Sequence, residues 1–428
     1  MNNSHSNVTS LFRGIARAIR RVTGETSEIP ASDFASKINN INVYHNEADV
    51  WDAMYNKTYT HLENSGVTEI PAYLFQSCTK LSIATFPSCT VVGEYAFKGC
   101  KSLTTVNIPR CTTISNYAFY SCNNLKNISF LECVSVGDYA FEYCSSLSNA
   151  PNCKYVGYEA FAHCKALSKV DMPACLSLNR GAFMNCSNLI SANFPLCSSV
   201  GVQIFDYCSK LKTVSLPMCS SILSNTFIYA SYIEQIYLDT CKYIPSSAFY
   251  SMYRLKEVYA PKCTVISANA FGYCSSLYKI DYPICTSVGS YAFWYCSSLT
   301  NVSLPICSSF GMAAFQNCYN LSSVTLPACS YITTSMFSNC KTLGTASFPA
   351  CSHIAGSAFA NCYCLSSLYL TGSSMCKLGS SNVFNSTPFN GYSKSFSGEP
   401  HIYVPSSLIS AYASASNWSY FSSYFSAI

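Results

Sequence analysis

Charge is what this sequence has least of. Asp, Glu, Lys and Arg together make up 11% of its 428 residues, against roughly 25% in an average soluble domain. Hydrophobic residues stand at an ordinary 49%, so Ser, Thr, Asn and Tyr fill the places that charges usually take. Disorder needs low hydrophobicity and high charge, and this composition has neither. Nucleic acid is not an expected partner, because 25 Lys and Arg face 20 Asp and Glu for a net of +5. Most of that surplus is local, with Arg13, Arg17, Arg20 and Arg21 preceding the first acidic residue, Glu25. Membrane insertion is not expected either. The apolar-looking stretch from His401 to Ile428 carries nine serines, Pro405 and Asn417, where a spanning helix needs about 20 predominantly apolar residues. Catalytic signatures are also missing: there is no G-x-S-x-G, H-E-x-x-H, G-x-G-x-x-G or phosphate-binding G-x-x-x-x-G-K-[ST]. Of six histidines, His163 and His353 occupy positions where neighbouring segments carry Tyr, Asn or Ser, and a varying position reads as a solvated side chain. No enzymatic activity, cofactor or metal is expected.

What the sequence does have is a repeat of 22 residues, the first feature to establish in any chain. Phenylalanine recurs at 75, 97, 119, 141, 161, 183, 205, 227, 249, 271, 293, 315, 337 and 359, with one 20-residue interval, Phe141 to Phe161, at a deletion near Ala150-Pro151. Cysteine follows three residues later in twelve of the fourteen copies, and Leu six residues later in thirteen, with Ile233 as the substitute. The run Leu103-Thr-Thr-Val106-Asn-Ile108 has the period-2 alternation of a half-buried strand, and Pro109 stops it because proline cannot donate to the next ladder. The stretch Asn116-Tyr-Ala-Phe119-Tyr-Ser-Cys122 spaces Phe and Cys for one turn of helix or 3₁₀ helix. A unit this short cannot bury its own apolar face, whereas stacked copies can. The fold class predicted is therefore an α/β solenoid of about fourteen coils. A parallel sheet would line one face, and short helical turns the other.

The 27 cysteines fall on two columns, one after Phe and one after the proline position, with Cys364 and Cys376 completing the count. Metal sites usually need C-x₂₋₄-C pairs, and the only close pair is Cys362-Tyr-Cys364. Inward cysteines locked to a repeat read as small buried hydrophobes. Disulfides between neighbouring coils remain open, since coils about 5 Å apart fall within the allowed Cα range. The odd total requires at least one free thiol. The expectation is buried thiols folded in a reducing compartment.

The frame Leu103-x-x-Val106-x-Ile108-x-x-Cys111, joined to the YAF-x-x-C-x-x-L motif at Tyr95 to Leu103 and Tyr291 to Leu299, resembles the BspA-like leucine-rich repeat family. The resemblance spans about Ile70 to Leu370 and implies surface-exposed recognition and adhesion, with no chemistry in the repeats. Strands of such repeats line a concave face on which outward residues vary. Here most outward residues are small and polar. Glu234, Gln235, Tyr237, Lys256, Glu257, Tyr259, Tyr278, Lys279, Asp281 and Tyr282 group differently. The same coils replace the cysteine after Phe with Ala230 and Met252. Tyr offers large contact area at low entropy cost, so this group is the candidate ligand-binding patch. Tolerated variation of the repeat is the alternative.

The two ends carry a second resemblance. Leu11, Ile15, Ile19 and Val22 lie on one face of a helical pattern ended by Gly24. Ser32 can cap a second helix that buries Phe34, Ile38 and Ile41. With the closing Ile402-Tyr-Val-Pro405 and Ala427-Ile428, these segments resemble tail-associated proteins of phages and prophages. The expected organisation is an attachment or oligomerisation module at 1–42, a linker and N-terminal cap at 43–70, the solenoid at 71–370 and a C-terminal cap at 371–428. The module's apolar stripe is expected to dock on a virion or sister-subunit partner, with packing on the first coil as the alternative. The N-terminus lacks the unbroken apolar core of a secretory signal. The resulting expectation is a tail-associated virion protein, made in the bacterial cytoplasm, that meets a host-cell surface protein or glycan. A bacterial cell-surface or secreted adhesin is the alternative, and a spacer without a ligand comes third.

Overall fold

The computed structural model describes residues 60–129, 131–392 and 399–428. The segment expected to be an attachment module, with Leu11, Ile15, Ile19, Val22, Phe34 and Ile38, lies outside the described residues. The chain divides into two compact units, Met1–Leu211 and Lys212–Ile428. Each is a parallel-sheet solenoid section built from the same coil.

One coil contributes a three-residue strand and then a two-residue strand. In the first unit His61–Glu63, Ile83–Thr85, Thr105–Asn107 and Asn127–Ser129 pair side by side, all parallel. The register shift is one repeat, as in Val106 opposite Ile128. A second ladder runs from Glu69–Ile70 through Thr113–Ile114 and Tyr155–Val156 to Ser199–Val200. The two-residue deletion is absorbed by the strand face. The Phe column stays stacked across it, Phe141 to Phe161 at 5.3 Å, while the next three-residue strand after Asn127–Ser129 is Lys169–Asp171. The second unit repeats the plan with Thr213–Ser215, Gln235–Tyr237 and Glu257–Tyr259 in one sheet. Lys279–Asp281 pairs with Asn301–Ser303. Ser323–Thr325, Thr345–Ser347, Ser367–Tyr369, His401–Val404 and Phe425–Ala427 form another sheet. After the last repeat Trp418 is buried and donates its indole N–H to the Cys376 carbonyl at 2.7 Å, while the Tyr412 hydroxyl accepts from the Cys376 N–H at 2.7 Å.

The segment around each Phe departs from the expected helical turn. Ala96, Lys98 and Cys100 donate backwards within their own coil, to Gly93, Tyr95 and Phe97. The residues between them, Tyr95, Phe97 and Gly99, donate to Asn116, Ala118 and Tyr120 of the following coil. With alternate N–H groups committed to a neighbour, a continuous helix cannot form. Consecutive β-turns form instead, two of them with a left-handed third residue of the type II kind. In the coil of Phe119 these are Tyr117 at φ 56° and Ser121 at φ 57°. A non-glycine residue there costs roughly 1–2 kcal/mol. Both donate an N–H to the next coil, and that stacking offsets the cost.

The core is columnar. Phe75 through Phe205 stack at 5.1 to 6.0 Å in the first unit, and Phe227 through Phe384 at 5.1 to 5.8 Å in the second. All 27 cysteines are free thiols, and all but Cys364 are buried. In the column after Phe, eleven of the twelve thiols donate to a Phe carbonyl one coil back, as Cys122 Sγ to Phe97 O at 3.0 Å. In the other column the thiol donates to a carbonyl two residues on, as Cys111 Sγ to Thr113 O at 3.3 Å. Each column thus fills a small apolar slot and satisfies a carbonyl with a weak donor.

Candidate binding surface on the strand face

Outward residues on a strand alternate with core residues, so a repeat of fixed length aligns each outward column from coil to coil. Nine of the ten candidate residues fall in such columns and make a grid of three rows on three successive coils. Glu234, Lys256 and Tyr278 precede the strands and are linked through the backbone. The Lys256 N–H donates to the Glu234 carbonyl at 2.8 Å, and that of Tyr278 to the Lys256 carbonyl at 3.4 Å. Gln235, Glu257 and Lys279 open the strands, with Gln235 opposite Glu257. Tyr237, Tyr259 and Asp281 close them, with Tyr237 opposite Tyr259. The core positions between, Ile236, Val258 and Ile280, are buried.

The charges largely satisfy one another. The Glu234 carboxylate lies 2.7 Å from Lys256 Nζ and 3.6 Å from Lys212 Nζ. The Lys256 hydrogen bond holds it below the usual carboxylate range. Lys279 Nζ sits 3.4 Å from Asp281 on its own strand. Glu257 makes no ion pair among the described residues. Exposed pairs of this kind contribute only about 0–1 kcal/mol to stability, so their arrangement bears on recognition more than on folding. The Tyr237 and Tyr259 rings are 6.4 Å apart and tilted by 53°. Tyr259 and Tyr278 are 44% and 46% exposed. The grid therefore offers two open phenol faces, one uncommitted carboxylate and two self-paired lysines.

Tyr282 does not belong to this surface. It is 1% exposed and donates its hydroxyl to the Val258 carbonyl at 3.2 Å. Its strand parity is inward, in the column that holds Leu238, Ala260 and Leu304. The small Ala260 side chain one coil earlier accommodates the larger ring. The two histidines inside the repeats are stacked on tyrosines: His163 on Tyr143 at 4.4 Å, His353 on Tyr331 at 4.7 Å. Burial pushes the His163 imidazole below its ordinary value, with Lys165 adding to the effect.

Stacked coils of this length, with a strand ladder on one face and an inward Leu, Phe and Cys frame, define a leucine-rich-repeat protein. The chain belongs to the BspA type leucine-rich repeat region family, which matches residues 68–190, 154–278 and 264–389. Among curated proteins, none matches this sequence. The fold is similar to that of a leucine-rich repeat protein from Bacteroides ovatus, at 22% identity over 73% of this chain and 87% of that one, with a TM-score of 0.45. A leucine-rich cell surface protein from Faecalibacterium prausnitzii is 19% identical over 74% and 89%, with a TM-score of 0.29. The pneumococcal vaccine antigen PcpA is 16% identical over 87% and 88%, with a TM-score of 0.35. No helix among the described residues is long and apolar enough to cross a membrane.

Proposed function

We propose that this chain is a non-enzymatic recognition protein, a BspA-like adhesin that works at a bacterial cell surface. On this reading, the strand face of its second unit contacts a surface protein of the partner cell. The observation that carries the reading is the three-by-three grid. In a repeat whose other outward positions are mostly Ser, Thr and Asn, three consecutive coils place Tyr, Glu, Gln, Lys and Asp side by side. Membership of the BspA type family supports the same reading. Large phenol surfaces ringed by adaptable polar groups suit protein recognition, and charges already paired within the grid limit the desolvation cost of binding.

Attachment to a virion, expected from the two ends, has narrower support. The family match lies between those ends, at 68–389, and the N-terminal segment falls outside the described residues. The test is where the native protein resides. Intact cells and purified phage particles from the source culture should be probed with an antibody and by surface proteolysis. Surface recovery on cells is the expected result. Recovery with particles alone would replace the adhesin by the tail-associated reading.

A further inference from the structure

Between Asp281 and Lys341 the sequence has no charged residue and no histidine. The coils of that interval, with the one before them, carry a second aromatic cluster, built on turns rather than on strands. Tyr273 and Tyr295 occupy the same left-handed turn position one coil apart and stack at 5.0 Å with 9° between planes. The Trp294 ring meets Tyr273 at 4.8 Å, Tyr295 at 5.2 Å and Tyr291 at 5.6 Å, each edge to face. Tyr250 extends the cluster by packing edge-on to Tyr273 at 5.5 Å. Its ring lies over Gly272, where an added Cβ would meet it at 2.8 Å. Tyr253, 54% exposed, stands at the rim. The Trp294 Nε1 donor is buried without a hydrogen-bond partner among the described residues. An aromatic cluster serving only the core would be closed over and would satisfy its donor. This one sits on turns, keeps its rim open and leaves an indole N–H unpaired.

We propose that this surface binds an uncharged glycan. Sugar rings present C–H faces that lie on aromatic rings, and hydroxyls that pair with phenols and small polar side chains. The surrounding turns include Ser275, Ser297, Ser298, Gln316 and Asn317, which supply such partners. The charged side chain next to the cluster, Arg254 beside Tyr253, is held over the Tyr232 ring at 4.7 Å, so a charged polymer or an ordinary peptide would meet few unengaged charges here and would pay a desolvation cost. A neutral sugar chain brings no charge. The inference rests on the reading of the chain as a recognition protein, but not on the strand grid, which is built from other residues.

The experiment uses the full-length chain and an array of uncharged oligosaccharides built from glucose, galactose, mannose, N-acetylglucosamine and N-acetylgalactosamine. A hyaluronan tetrasaccharide is the charged control. Tryptophan emission is followed during titration. At least one neutral oligosaccharide should give a saturable change in emission, and hyaluronan none. Trp294→Phe should abolish the change. Tyr253→Ser, at an exposed rim position, should weaken binding at least tenfold with the unfolding midpoint unchanged, and it keeps the test valid if the Trp294 variant misfolds. No response from any neutral sugar, while the protein still binds cells, overturns the glycan assignment and leaves recognition standing. Loss of both overturns recognition as well. Equal response to hyaluronan, or a response that survives both substitutions, overturns the site.

Discussion

The ring of Phe97 lies parallel to that of Phe119, with centroids 5.1 Å apart and 4° between their planes. Both are fully buried, and each is one rung of the column that runs from Phe75 to Phe205 in the first unit. A coil has no core of its own, so removing a rung opens a cavity that its neighbours on both sides line. Phe119→Ala should cost about 3–5 kcal/mol. Phe205→Ala, also at a fully buried rung, should behave alike. Urea unfolding followed by circular dichroism measures this, and an unchanged midpoint would contradict stacked coils.

Gly311 makes a second structural test. A Cβ built there would come within 2.1 Å of the backbone nitrogen of Ser290 in the preceding coil. That distance can be relieved only by moving backbone, so Gly311→Ala should lower the thermal midpoint clearly. Gly391→Ala is the control for cramped space, since no atom of the described residues lies within 4 Å of a Cβ there, and its smaller cost should reflect its left-handed φ of 73°.

Two buried carboxyls give the fold a pH dependence. Glu142 is pushed up to about 7 from 4.5 by burial, with the Glu159 carboxylate adding to it. Asp206 is pushed up to about 6 from 3.8, again by burial. Its Oδ1 has no hydrogen-bond partner among the described residues, while Oδ2 accepts from Gln203 Nε2 at 3.1 Å. Both folded values lie above the unfolded ones, so the folded state holds these protons more tightly. Their contribution to stability is full below the unfolded values and is lost as pH rises through the folded ones. Unfolding midpoints should therefore fall between about pH 4 and pH 7. Glu142→Gln with Asp206→Asn should flatten the slope and raise stability at neutral pH. A slope unchanged in the double variant would contradict the assignment.

Buried thiols should be slow to react. Burial pushes thiols such as Cys122, Cys186 and Cys318 well above their ordinary range. Only Cys364 is partly open. A thiol-titrating reagent should label about one cysteine quickly in the native chain, following thiolate exposure, and all 27 in guanidine without reductant. A total well below that in guanidine would mean disulfides between coils.

How much of this was legible beforehand follows from where the repeat repeats its environment. Phe119, Leu125 and Cys122 recur because each faces the same residue one coil away, so identity alone marked them as core. The turn segment was less legible. Hydropathy carries no sign of φ, and the left-handed positions are filled by Tyr117, Ser121 and His163 as readily as by Gly99 or Asn185. The glycines and asparagines in those columns were the available signal. Tyr282 was misplaced for a simpler reason. The dipeptide Tyr282-Pro283 aligns with Ile108-Pro109, and that parity marks it as inward despite its neighbours. The Trp294 surface lay outside the reading because it belongs to turns, where ring contacts between coils depend on backbone geometry that no pattern of residues states.

The measurement that bears most directly on the central claim is binding of the purified full-length protein to partner cells, compared with its Tyr237→Ser, Tyr259→Ser double variant. Tyr259 is exposed and both residues stand on the outward side of their strands, so the unfolding midpoint should move little. Recognition through the strand grid predicts saturable binding by the parent chain and at least a tenfold loss in the variant. Equal binding by the two, at equal stability, would contradict it.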